Sequence, residues 1–167
     1  MTDLGLMKYF LGIEVEKNVQ GISLYQHKYA TNILKRFRMD MSKPTKTHIA
    51  TGTKLSKHDD GPTLDSSLYK RLVGSLMYLI ATRPDLMYAV SLISRFMESP
   101  KDTHWKVGKR ILRYVSGTIV YGLWYTNSTY TTLIGYIDSD FVGSIDDMKN
   151  TYGCAFSFGY QYHVMGF

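Results

Sequence analysis

The sequence predicts an α+β protein, and three observations carry that prediction. Apolar residues alternate at period two over residues 8–25, recur at three- and four-residue steps between 26 and 117, and return to period two after 117. An N-terminal β-hairpin, a helical middle and a set of C-terminal strands follow. At 167 residues, with 44% hydrophobic and 20% charged side chains, the chain can bury roughly 70% of its unfolded surface, enough for one ordinary domain or pieces of two.

In Lys8–Glu16, Leu11, Ile13 and Val15 share one parity while Phe10, Gly12, Glu14 and Glu16 take the other, which reads as a strand with one apolar face. Asn18 to Gly21 supplies a turn, and Ile22–Tyr25 is the return strand. From Gln26 the period changes. Tyr29, Ile33 and Phe37 line one helical face; Lys28, Thr31, Lys35 and Arg38 line another, an amphipathic helix with a basic outer stripe. Met39 to about Pro62 reads as a connection longer than the usual loop, either a functional excursion or a domain connector.

Three more helical patterns come next. The Leu68, Leu72, Leu76, Leu79 stripe can be capped by Asp65 or Ser66. Arg83-Pro84 opens a second pattern through Leu86, Ala89, Val90, Ile93 and Met97. The third has Ser99 as N-cap, Pro100 at its first position and Asp102 at its third, then Trp105, Gly108, Leu112 and Val115, with Gly117 as its stop. Gly122–Tyr125, Leu133–Ile137 and Thr151–Phe158 are strand-like, and Asp146–Asn150 is turn-like. The shift from helix-rich to strand-rich composition places a domain boundary at 118–130, dividing the chain into 1–117 and 118–167.

Twenty Lys and Arg against fourteen Asp and Glu give a net charge of +6, a balance that permits nucleic acid or an anionic membrane as partner without naming either. Cys154 is the one cysteine; no disulfide framework is available, and its apolar surroundings suit a small buried hydrophobe. No window approaches eighteen uninterrupted apolar residues and the start lacks a basic flank, so neither a membrane span nor a signal peptide is expected.

Two groups could carry chemistry. Lys106, Lys109, Arg110 and Arg113 recur at helical spacing opposite the apolar stripe, either a track for phosphates or a solvated helix face. Asp138 and Asp140 share one face of a strand, a pair that could hold Mg²⁺ or simply end the strand. The five histidines form no zinc spacing, and neither a phosphate-binding glycine loop nor a serine elbow is present.

Met7–Val15, Gly21–Ala30, Tyr69–Leu79, Thr82-Arg-Pro-Asp85, Trp105–Tyr114, Tyr121–Tyr125 and Gly135–Asp140, in that order, closely resemble the Pol polyprotein of copia-type LTR retrotransposons of plants. The resemblance covers essentially the whole chain. It implies a late reverse transcriptase palm hairpin, with Phe10, Leu11 and Gly12 at the primer end, followed by thumb and connection helices and the opening strands of an incomplete RNase H-like sheet. Lys28, Lys35, Arg38, Lys106, Lys109, Arg110 and Arg113 would then grip a template–primer duplex or RNA–DNA hybrid. Asp138 would be the first metal-binding carboxylate of the nuclease strand and Asp140 a companion of the same motif, with Mg²⁺ as the family's cofactor.

The 167 residues hold no Tyr-x-Asp-Asp turn for polymerisation, and none of the later nuclease carboxylates. The chain is therefore expected to be catalytically inactive alone and intracellular, with the remainder of the polyprotein as partner and no membrane. A homodimer could supply missing ligands. A competing reading is a co-opted nucleic-acid-binding or interaction protein; Arg110-Ile-Leu-Arg113 also fits the short Arg-x-Leu-Arg pattern of secreted effectors.

Overall fold

The computed structural model describes residues 7–127, 132–140 and 151–158. It is α+β. A four-stranded antiparallel sheet, β1 (Tyr9–Phe10), β2 (Ile13–Lys17), β3 (Gly21–Tyr25) and β4 (Gly122–Thr126), is ordered β1-β2-β3-β4. Between β3 and β4 come four helices, α1 (His27–Arg36), α2 (Ser66–Leu79), α3 (Met87–Ser94) and α4 (Asp102–Gly117). A separate two-stranded antiparallel sheet pairs β5 (Leu133–Asp140) with β6 (Thr151–Phe158), and β6 lies alongside α3. The turn expected at Asp146 and Asp147 lies outside the described residues.

The first predicted strand is two strands. Phe10 pairs with Ile13, so Leu11 and Gly12 form a two-residue turn, with φ of 46° and 79°. Positive φ at both central positions is the geometry that matches the twist of a hairpin. Gly12 is required twice over. A Cβ there would sit 2.7 Å from the Tyr78 hydroxyl of α2, which is how the turn abuts the helices. The next turn is held by Asn18, whose Oδ1 accepts the backbone N–H groups of Gln20 and Gly21 at 2.8 and 3.0 Å.

β4 lies within the 118–130 boundary stretch and pairs backward. Residues 122–126 open the strand-rich stretch of the sequence and pair with β3 from Gly21↔Thr126 to Tyr25↔Gly122. Hydrogen bonds to a strand about one hundred residues earlier leave no periodicity signal of their own.

Ile33 of α1, Leu72 and Leu76 of α2, Ile93 of α3 and Ile111 and Leu112 of α4 are fully buried in one core. Asp65 caps α2 as expected, its Oδ1 accepting from Ser67 N at 2.8 Å. α4 starts at Asp102, two residues after the predicted proline start. Pro100 carbonyl accepts from Leu64 N at 3.0 Å and Lys101 bridges Thr63, so 100–101 stay extended. The cap is instead His104, fully buried and stacked on Phe96, whose Nδ1 accepts from Lys101 N at 2.9 Å.

The long connection is a strap laid antiparallel along α4. Pro44 meets Gly117, Thr45 and Thr47 meet Arg113 and Arg110, Ser56 and Asp59 meet His104 and Thr103, and Thr63 meets Lys101. Several of its polar groups find partners on the helix, others bond within the strap, and its own Leu55 is buried.

Candidate nucleic-acid interface

On α4, Lys106, Lys109, Arg110 and Arg113 fall within an arc of about 100°, at 3.6 residues per turn. The opposite arc carries buried Gly108, Ile111, Leu112 and Val115. Gly108 is there because a Cβ would come within 2.6 Å of Leu72 on α2. The four cations do not share one environment. Lys106 and Lys109 are exposed, Arg110 and Arg113 half-buried under the strap. Lys106 Nζ lies 2.8 Å from Asp102, an exposed i,i+4 pair of small energetic worth. Lys109 Nζ lies 5.6 Å from the Trp105 ring centroid. Arg110 Nη2 donates to Thr47 Oγ1 at 2.9 Å, and Arg113 carbonyl accepts from Thr45 N at 3.3 Å.

The two basic segments read separately from the sequence meet here. Phe37, at the end of α1, stands edge-on to Trp105 with centroids 6.3 Å apart. Exposed Arg38 follows Phe37 directly; Lys35 is exposed on the preceding turn. Seven residues back along the same stripe, about 10 Å, Lys28 lies 5.5 Å from the Tyr9 ring of β1. Glu14 on β2 fixes this end of α1 by accepting from Lys28 N at 2.8 Å. A line of cations therefore runs along α1 from the β1–β2 hairpin to Trp105 and Lys109. At the hairpin end Tyr9, Phe10 and Leu11 are more than half exposed. The cleft of about 350 Å³ beside Lys8, Tyr25 and Lys28 also holds Glu14 and Glu16, so it is no seat for phosphate. Burial and those two carboxylates push the Tyr25 hydroxyl pKa upward.

Thr82-Arg-Pro-Asp85, which in the sequence marks a helix start and a point of resemblance, is in the fold a structural clamp. Arg83, nearly fully buried, grips Asp85 with Nε and Nη2 at 2.9 and 2.7 Å, and donates to the Thr118 carbonyl and hydroxyl at 2.9 and 2.8 Å. Tyr114 and Tyr121 flank the guanidinium at 5.5 and 5.4 Å. The Arg-x-Asp spacing was the available signal, since it allows a bidentate pair across one turn. Thr47 and Phe37 join the interface only through tertiary packing. Arg110–Arg113 is no exposed tetrapeptide: Ile111 and Leu112, its middle pair, are fully buried.

Asp138 and Asp140 lie in β5, opposite Gly153 and Thr151 of β6; their side chains are outside the described part. Neither cross-strand neighbour can add a carboxylate. Among the described residues no group of three or more His, Cys, Asp or Glu could hold a metal ion, and no helix is long and apolar enough to cross a membrane.

The fold and this surface define an α+β protein with a cationic, aromatic-studded helical face beside an exposed hairpin. Comparison with known proteins places it more narrowly. The chain is 42% identical over 147 residues to a retrovirus-related Pol polyprotein from transposon RE2 of Arabidopsis thaliana, covering 88% of this chain and 10% of that one. A second, from transposon RE1 of the same plant, is 40% identical over the same shares. A third, from transposon TNT 1-94 of Nicotiana tabacum, is 39% identical over 95% of this chain and 12% of its own length. The chain belongs to the retrovirus-related Pol polyproteins of plant transposons. It spans about a tenth of the length of these relatives. No family model and no solved structure matches it.

Proposed function

We propose that this chain is the duplex-gripping part of a transposon Pol polyprotein, and that by itself it binds an RNA–DNA hybrid or template–primer duplex weakly and catalyses neither polymerisation nor hybrid cleavage. The observation that supports this most is the meeting of α1 and α4 at Phe37 and Trp105, which turns two basic stripes into one surface. Cations spaced along helices suit phosphates, and partly exposed aromatic rings suit sugars and bases. In this reading Phe10, Leu11 and Gly12 touch the primer end, and residues from β1 to β4 form the late palm hairpin and the thumb and connection. β5 and β6 open an RNase H-like sheet. The division between these parts falls after β4, because β4 completes the first sheet.

Polymerisation needs carboxylates that organise metal and primer hydroxyl, and the 167 residues hold no such Tyr-x-Asp-Asp turn. Mg²⁺, where bound in the family, would polarise phosphate and activate water. Asp138 and Asp140 offer it two carboxylates opposite Gly153 and Thr151, too few to fill an octahedral shell. Binding there is weak and aligns no attacking water. The remaining Pol segments are the natural partner, inside the cell where the nucleic acid is.

Fluorescence anisotropy over a salt series tests the proposal. A variant with Lys28, Lys35, Lys106 and Lys109 changed to Gln should lose affinity equally for hybrids of unrelated sequence, with the salt slope reduced by about 2 to 3. Unchanged affinity in the folded variant would reject the surface. Primer extension or hybrid cleavage by the purified parent, lost on chelation, would reject the inactivity.

A further inference from the structure

We infer that residues 45–49 form a closure over Arg110 that opens when a nucleic-acid phosphate takes the place of Thr47; the inference rests on the duplex-binding reading above. Arginine presents Nε and Nη2 as two parallel donors, a fork shaped for two oxygens of one oxyanion. Here Nη2 donates to the neutral Thr47 hydroxyl at 2.9 Å. Nε is shut from solvent and has no hydrogen-bond partner among the described residues. No carboxylate pairs with Arg110 among those residues either. A buried donor left unfilled on a charged group is costly, and such groups call for an explanation.

Apart from the Thr47–Arg110 bond itself and the half-buried Ile49, which rests against the core at the end of the segment, the hydrogen bonds that close it are few and long. Thr45 N reaches Arg113 carbonyl at 3.3 Å and Thr45 Oγ1 reaches Arg110 carbonyl at 3.5 Å, both beyond the usual range. The His48 ring sits 5.5 Å from Tyr114. Farther along, the strap is held harder: His104 Nε2 meets the Ser56 carbonyl at 3.1 Å, Thr103 donates to Asp59 at 2.9 Å, and Leu64 N donates to Pro100 carbonyl at 3.0 Å. Residues 45–49 can therefore lift while 56–64 stay docked. Lifting frees both fork donors among Lys106, Lys109 and Arg113. A phosphodiester then replaces one neutral acceptor with two charge-assisted bonds.

A latch and a direct contact predict opposite signs for Thr47. Thr47→Val, and likewise Thr47→Ala, should bind hybrid about threefold to tenfold more tightly, because nothing holds Arg110 closed. Arg110→Gln should bind about tenfold more weakly, with a salt slope smaller by about 1. Hydrogen exchange at 45–49 should rise on hybrid binding while 56–64 stays protected. Equal or weaker binding by both Thr47 variants, or unchanged exchange at saturation, overturns the latch; if Lys109→Gln still weakens binding, the duplex-binding reading survives it. If the parent binds no hybrid at low salt, that reading fails, and inorganic phosphate becomes the probe. A shifted Arg110 Nε–H resonance with faster exchange at 45–49 would then support the latch, and no shift would sink it.

Discussion

Arg38 shows how one residue can serve two demands that conflict. It occupies the left-handed position after α1, with φ of 55°, while its N–H bonds the Lys35 carbonyl and Met39 N bonds the Leu34 carbonyl, closing the helix. Glycine is the usual occupant, and a side chain there costs roughly 1 kcal/mol. Arg38→Gly should therefore stabilise the fold by about 1 kcal/mol in denaturant melts while weakening hybrid binding, so stability and affinity move in opposite directions. His48 makes a second single-residue prediction. Burial, the largest cause, lowers its pKa below the ordinary 6.5; Arg83 and Arg110 lower it too, against an opposing pull from Asp85. A folded-state pKa below the unfolded one means that the unfolded chain binds the proton more readily in the window beneath pH 6.5. Stability from this site is complete above pH 6.5 and is lost as pH falls through the window. His48→Gln should flatten that part of the stability–pH profile, measured as the difference between parent and variant melts at pH 5 and 7.5.

At the scale of elements, the β1–β2 turn stores strain at an exposed tip. Leu11 takes φ of 46° and is 72% exposed, where Asn or Gly would be unstrained. Leu11→Asn should stabilise the chain by about 1 kcal/mol and, if the tip meets the primer end, reduce affinity for a recessed primer more than for a blunt hybrid. Equal losses on the two substrates would remove the tip from the interface. The sequence made much of this architecture legible. Alternation gave the strands and helical spacing gave the stripe of α2, because both are local consequences of burying one face. What it hid was non-local. The Phe10–Gly12 turn was read as strand because Leu11 keeps the apolar parity. Ser99 and Pro100 have sound capping chemistry, but the Thr63–Lys101 bridge and the Leu64–Pro100 bond hold that stretch extended. The cations of α1 and α4 were visible one helix at a time; only the Phe37–Trp105 contact, sixty-eight positions apart in numbering, joins them.

Across the whole molecule, the decisive question is where the first unit ends. A cut after Gly117 follows the composition change, yet it severs two things at once. It removes β4, leaving β3 with an unpaired edge, and it removes Thr118, which takes two hydrogen bonds from the buried Arg83 guanidinium. Each bond to a charged group contributes about 1.5 to 3 kcal/mol, and a buried charge stripped of acceptors bears most of that cost. Asp85 would remain, so Arg83 would be half-satisfied rather than abandoned. Domains have marginal stability, commonly about 5 to 15 kcal/mol, so a loss of this size plus a missing strand is a large share of the total. Residues 1–127 should therefore melt cooperatively and retain hybrid binding, whereas 1–117 should lose the cooperative transition or melt far lower. Thr118→Val in the full chain isolates the hydroxyl's part: it keeps the carbonyl acceptor and β4, and should cost about 1 to 2 kcal/mol. A 1–117 fragment that melts as sharply and as high as 1–127 would mean that β4 and the Arg83 clamp are dispensable to the helical core, and that the boundary lies where the composition changes.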